Sequence, residues 1–172
     1  MLRWADELAG GAAATHRLFS GAGRPAILAV TYVDVPWPGW TLGLTYGASL
    51  VWPSGIELVT VVRGRSPMWT WAAADFVDRH RSDATGLHDG DTIRWNEPID
   101  RDSRMDALVV AEPRSLEPSS WSVHLSDDDH VRLLQVVPVH AIELELVRQV
   151  GVEAFLDQLG ELALHPGRAP FV

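Results

Sequence analysis

Three short clusters hold the side chains best able to do chemistry. His80 has Asp75, Asp78 and Asp83 nearby in the chain. An imidazole with carboxylates about one helical turn away is the raw material of a metal site. The same residues also make an ordinary solvated helix end, where a protonated His lies at the negative pole of the helix dipole, and they are read that way. His88-Asp89-Gly90-Asp91-Thr92 has the lettering of an aspartyl-phosphate loop. That nucleophile belongs at the end of an aliphatic strand, whereas the residues before His88 are polar, so Asp89-Gly90 is read as a turn. The run Asp127-Asp128-Asp129-His130 offers a hard cation several oxygens. It lacks the spaced loop and the closing bidentate Glu, and is read as a charged hairpin turn.

Nucleophiles and acid–base pairs are no better placed. Ser49 follows Gly47-Ala48 and precedes Leu50, so the sharp elbow of G-x-S-x-G is missing. Seven His among many Asp and Ser let almost any triad be drawn, which makes such drawings uninformative. Glu143 and Glu145 lie two apart on a predicted helix and cannot share a face. Gly21-x-Gly23 has no strand before it, and Pro25 stands where a dinucleotide-binding helix would open. With no cysteine there is no thiolate, no disulfide and no Cys-based zinc site. The expectation is a non-enzymatic protein with no catalytic residue, cofactor or metal.

A net charge of −9 and a pI near 5.1 argue against nucleic acid, whose phosphates need a basic surface. The same charge suits a basic protein partner. No apolar run nears the roughly 18 residues of a membrane span, so no membrane role is expected. Asp6 and Glu7 stand where a secretory signal would be apolar, and a cytoplasmic location is expected. All fourteen basic residues are Arg, which suggests GC-rich bacterial coding. Eight tryptophans are the least ordinary feature. Trp37 and Trp40 in a Pro/Gly turn and Trp71 off its helix stripe are candidate partner-binding residues, together with Asp127, Asp128 and Asp129.

The elements that position these residues follow from periodicity. Residues 4–19 are predicted to form a helix with Trp4, Leu8 and Ala12 on one face, weakened by Gly10 and Gly11. Ala26 to Val35 is a buried strand. Pro36 to Trp40 is a turn, and in Thr41 to Tyr46 apolar Leu42, Leu44 and Tyr46 alternate with Thr41, Gly43 and Thr45. Ile56 to Val62 is the next strand. Ser66-Pro67 opens a helix with Trp69, Ala72, Ala73, Phe76 and Val77 on its core stripe. Thr92 to Trp95, Ala107 to Ala111 and Trp121 to Leu125 are shorter strands. Val131 to Val137 reads as a central strand covered on both faces, stopped by Pro138. Helices follow at 141–150 and, after Gly151, with Val152, Phe155, Leu156 and Leu159 inward. The tail from Leu164 is expected to lie on the surface or fray. The fold class is α/β (α+β) in one domain, a mixed and largely antiparallel sheet with helices packed on it.

Three stretches resemble one known family. LLQVVP (Leu133–Pro138), then ELEL (Glu143–Leu146) and GVEAFLDQL (Gly151–Leu159) are similar to the C-terminal signature of Suppressor of fused domains. TLGLTYGASL (Thr41–Leu50) followed by GIELVTVV (Gly55–Val62) resembles that family's strand, its Thr/Tyr-Gly-x-Ser turn and its acidic-aliphatic strand. His88 to Pro113 resembles the segment that follows. The resemblance covers about residues 40–160 in the family's order, with His140 where the family has Thr. It implies a non-enzymatic binding protein: animal members hold Hedgehog-pathway transcription factors by peptide capture. Small bacterial members resemble immunity proteins of polymorphic toxin systems, so a basic toxin domain is the partner implied. No partner-contact residue carries over. A hydrolase, or a structural or oligomeric subunit, are the alternatives the residues leave open.

Overall fold

The structure, a computed structural model, describes residues 6–7, 9–12, 14–19, 25–82, 86–124 and 130–171. Its frame is one mixed sheet of eight strands among the described residues: β1 (Ala14–Phe19), β2 (Ile27–Val33), β3 (Trp40–Tyr46), β4 (Ile56–Arg63), β5 (Thr92–Arg94), β6 (Ala107–Ala111), β7 (Ser122–His124) and β8 (His130–Val139). The order is β1-β2-β3-β4-β8-β6-β5, with β7 also on β8. Only the β4–β8 pair is parallel. The helices are α1 (Ala48–Val51), α2 (Met68–Arg79), α3 (Leu144–Val150) and α4 (Val152–Leu159).

Strand β8 is the hub. Its Arg132 N–H donates to Gly55 O beside β4, while its Leu133 N–H donates to Trp121 O beside β7. Backbone groups of even residues therefore face β4, and those of odd residues face β6 and β7. That parity explains why Pro138 does not end the strand, contrary to the sequence expectation. Pairing continues through Pro138 opposite Leu108 to Val139 opposite Ala107. The proline nitrogen points to the β4 flank, where the ladder has already stopped at Gln135, so no bond is lost.

Each face of the sheet is covered. Trp69, Ala73 and Val77 of α2 pack on Ile27, Leu58 and Leu134. On the opposite face Phe155, Leu156 and Leu159 of α4 pack on Val109, Val137 and Val139. Beside them Tyr32, Leu42, Val61 and Leu133 form an adjoining cluster with Ala9 and Leu116. The polar side of β3 is buried too, because α2 comes unusually close there. Thr60 and Thr70 share a hydroxyl contact of 3.0 Å directly over Gly43. A Cβ on Gly43 would invade both hydroxyls and lie 2.7 Å from Thr70 Cβ. Gly43→Ala should therefore cost about 3 kcal/mol of stability, read as a lower urea midpoint, with partial recovery in a Thr70→Ala background.

The predicted helix over 4–19 is cut short: Asp6 and Glu7 are helical, but Ala14–Phe19 is strand and pairs along its whole length with β2. Gly10 and Gly11, both at positive φ, close a turn instead of continuing a helix. Trp4 and Leu8 lie outside the described residues. The turn sits over Tyr32, whose hydroxyl donates to Asp6 Oδ1 at 2.8 Å. The segment 141–150 also differs: it opens as a 3-10 turn (Ala141–Glu143) that leaves Ile142 exposed and Glu143 buried. Val150, expected inward, is exposed as well.

Candidate partner-binding groove

β6 and β7 share one edge of β8: β6 pairs with residues 135–139, β7 with 130–132. The chain between them, Glu112 to Ser120, has no place in that ladder and loops out over the α4 face, rejoining β8 at Trp121 O. Three contacts fix it. Gln135, only 1% exposed, accepts from Ser115 N–H at 3.2 Å and donates to Ser115 Oγ at 3.0 Å. Trp121 Nε1 donates to Leu116 O at 3.1 Å. Arg114 donates to Asp157 at 2.6 Å and to Glu153 at 2.9 Å, bridging loop and helix. Burial alone would lower the guanidinium's pKa, but the two carboxylates outweigh it and hold the charge.

A second loop meets the first. Asp34, at φ 62, accepts from Gly39 N–H at 2.8 Å and pairs with Arg65, while its own N–H donates to Trp40 O at 2.7 Å. The Gly39 N–H first, and then Arg65, hold the Asp34 carboxyl below its usual range. The turn so fixed presents Trp37 at 53% exposure, edge-on to half-buried Trp40 at 5.2 Å.

Between these loops and α4 runs a groove of about 820 Å³. Its floor is Gln135 and Val137, one wall is Leu156, Ala163 and Leu164, and the other is Leu116, Pro118 and Trp121. Trp37 and Pro36 close one end. Around the apolar lining stand Glu112, Glu117, Asp157 and Glu161 against Arg114, the single cation of the lining among the described residues.

The sequence candidates distribute unevenly. Trp37 lines the groove and Trp40 backs it. Trp71 does not join them: it is on α2, across the sheet, half-buried beneath the Arg17 guanidinium at 4.3 Å. It borders a separate cavity of about 260 Å³ with Phe19 and Trp95. Asp127, Asp128 and Asp129 lie outside the described residues. Sequence reasoning noted Trp121 among the tryptophans near loops but missed Arg114 and Leu116. The prolines bracketing that loop, Pro113 and Pro118, were the available signal.

Other polar clusters are structural in their contacts. Asp75 pairs with Arg79 at 2.7 Å, Asp78 pairs with Arg81, and His80 Nδ1 lies 2.9 Å from Phe76 O. Asp83 is outside the described residues. Among the described residues no three His, Asp or Glu gather as metal ligands. The His88–Asp91 segment is a turn, with His88 N–H donating to Asp91 at 2.8 Å. Among the described residues two carboxylates are fully buried. Glu57 accepts from Thr45 Oγ1, Ser49 Oγ and the N–H groups of Gly47, Ala48 and Ser49, at 2.7–3.2 Å. Glu143 accepts from Arg168 and from the N–H groups of His140 and Phe171 at 2.9 and 2.7 Å. The latter bonds hold the C-terminal tail in place, so its segment to Phe171 is docked and not frayed.

Fold and groove together define an α+β domain built on one mixed sheet, with a preformed surface cleft. A family model for Suppressor of fused protein (SUFU) matches residues 45–168, and the chain belongs to that family. A search of curated protein sequences found no match. Among solved structures, one described as a SUFU homologue from Neisseria gonorrhoeae is 16% identical with a TM-score of 0.75, covering 99% of this chain and 94% of its own. A chain of the Sufu–Fu complex is 18% identical with a TM-score of 0.63, over 90% of this chain and 84% of that one. Drosophila Suppressor of Fused is 18% identical with a TM-score of 0.61, over 84% of this chain but 42% of that longer one. Among the described residues no helix is long and apolar enough to cross a membrane.

Proposed function

We propose that this chain is a non-enzymatic binding domain that captures a protein partner stoichiometrically in the cytoplasm, and that the partner is a basic toxin domain which it neutralises. The observation that carries this reading is the groove. Its walls are held by hydrogen bonds and ion pairs before any partner arrives, so little ordering cost remains for binding. At its end Trp37 exposes half of a large, rigid, amphipathic side chain, the make-up of an interface anchor. The Sufu–Fu complex among the similar structures supports protein binding as the function. The net charge of −9 supports a basic partner.

The test is to recover the partner from the native host by affinity capture, identify it, and rebuild the complex from two purified proteins. Light scattering should give a defined stoichiometry. Trp37→Ala should weaken the complex by about 10–100-fold, read by calorimetry. Raising salt from about 50 to 500 mM should slow association if the partner is basic. Failure of the purified pair to assemble would end this reading.

A further inference from the structure

The groove's charges say what kind of segment it accepts. Arg114, its one cation, is already engaged by Glu153 and Asp157. Glu112, Glu117 and Glu161 are exposed on the rim, and their carboxylates have no ion pair or hydrogen bond among the described residues. Three uncompensated carboxylates thus border a largely apolar lining that includes Val137 of the floor and Leu156 of one wall. A second copy of this chain would bring acid against acid, at a net charge of −9 per copy. A concave site with a largely apolar lining and an anionic rim complements a narrow segment that is apolar at its tip and cationic beside it.

Resting on the protein-binding reading, we propose that the groove captures a linear segment of the partner. One aliphatic or aromatic side chain of that segment seats on Val137 and Leu156, and a neighbouring Lys or Arg pairs with Glu117 and Glu161.

The probe is a random peptide library displayed on phage and selected on the whole purified chain. Enriched peptides should carry a Lys or Arg beside an aliphatic or aromatic residue. The charge reversal Glu117→Lys/Glu161→Lys should weaken their binding by about tenfold or more by fluorescence polarisation. The reversal touches exposed, unpaired side chains, so far-UV circular dichroism should not change. Glu97→Lys, bordering a different cavity, should leave affinity intact. The chain has no cysteine, so Glu117→Cys can carry a single photo-crosslinker, and the selected peptides should attach there. Acidic or uncharged consensus peptides, peptides indifferent to the reversal, or no enrichment at all would overturn the groove assignment. None of these outcomes touches the purified-pair test: a complex that forms yet ignores Glu117 and Glu161 refutes this inference alone, whereas a pair that never assembles refutes the function.

Discussion

Arg168→Met is expected to destabilise the chain by about 3–5 kcal/mol, because it strands a buried carboxylate without its cation. Glu143 is fully buried and Arg168 nearly so, and the guanidinium meets both carboxylate oxygens. Burial pushes the Glu143 carboxyl up, but the Arg168 hydrogen bonds, the Phe171 and His140 N–H groups and the Arg168 charge together hold it below its ordinary value. A carboxyl depressed in the folded state contributes stability that is present above its unfolded pKa and lost as pH falls through the folded one. In Arg168→Met the balance reverses: burial then dominates, the carboxyl is raised, and acidification relieves the penalty. The gap between wild type and variant should therefore be widest near pH 7 and shrink toward about pH 4 in urea unfolding. An apolar double replacement, Glu143→Leu with Arg168→Met, should recover only part of the loss. It leaves the buried His140 N–H without an acceptor, at about 1–3 kcal/mol, and the part-buried Phe171 N–H as well at a smaller cost. A variant as stable as wild type at neutral pH would show that the tail is not anchored through this pair.

The same pair marks where sequence reading runs out. The stripe Trp69–Ala73–Val77 and the alternation of Leu42 and Leu44 are local signals, and burial follows them directly. Glu143 and Arg168 stand 25 positions apart, and nothing in the short-range pattern links a helix-start Glu to an Arg in a polar tail. The groove is hidden for a related reason. It exists because β6 and β7 share one edge of β8 and expel the chain between them, a consequence of pairing register and not of composition. The N-terminal error has a different origin. An apolar spacing that fits a helix also fits an edge strand whose outer side chains meet water, and β1 took the ladder offered by β2. The exposure of Trp37 was legible because a Pro/Gly turn cannot bury an indole easily. Trp71, off its helix stripe, lies under Arg17 rather than at the groove, a placement that depends on β1 and not on local spacing.

Glu57→Leu should cost about 4 kcal/mol, and Glu57→Gln clearly less. Oε1 takes the Gly47 N–H, the Ser49 N–H and the Ser49 hydroxyl, and Oε2 takes the Thr45 hydroxyl and the Ala48 N–H. A leucine removes the carboxylate from all five donors in a largely buried site, where hydrogen bonds to a charged acceptor are worth about 1.5–3 kcal/mol apiece before the loop relaxes and Thr45 turns to Leu58 O. Glutamine keeps one carbonyl oxygen for the three donors on Oε1, while its amide opposes the Ala48 N–H. The turn has little room to adapt: Gly47 sits at φ 108, and a Cβ there would lie 2.6 Å from Ala26 O. Ser49→Ala, which removes one hydroxyl bond and leaves the backbone donors engaged, should cost about 1.5–3 kcal/mol. Urea midpoints for the three variants should therefore fall in the order Ser49→Ala, then Glu57→Gln or close to it, with Glu57→Leu lowest. Should Glu57→Leu prove as stable as wild type, the carboxylate is not there to fold the chain. Its 2.7 Å bond to Ser49 Oγ would then need a chemical explanation, and a binding-only account of this protein would fall with it.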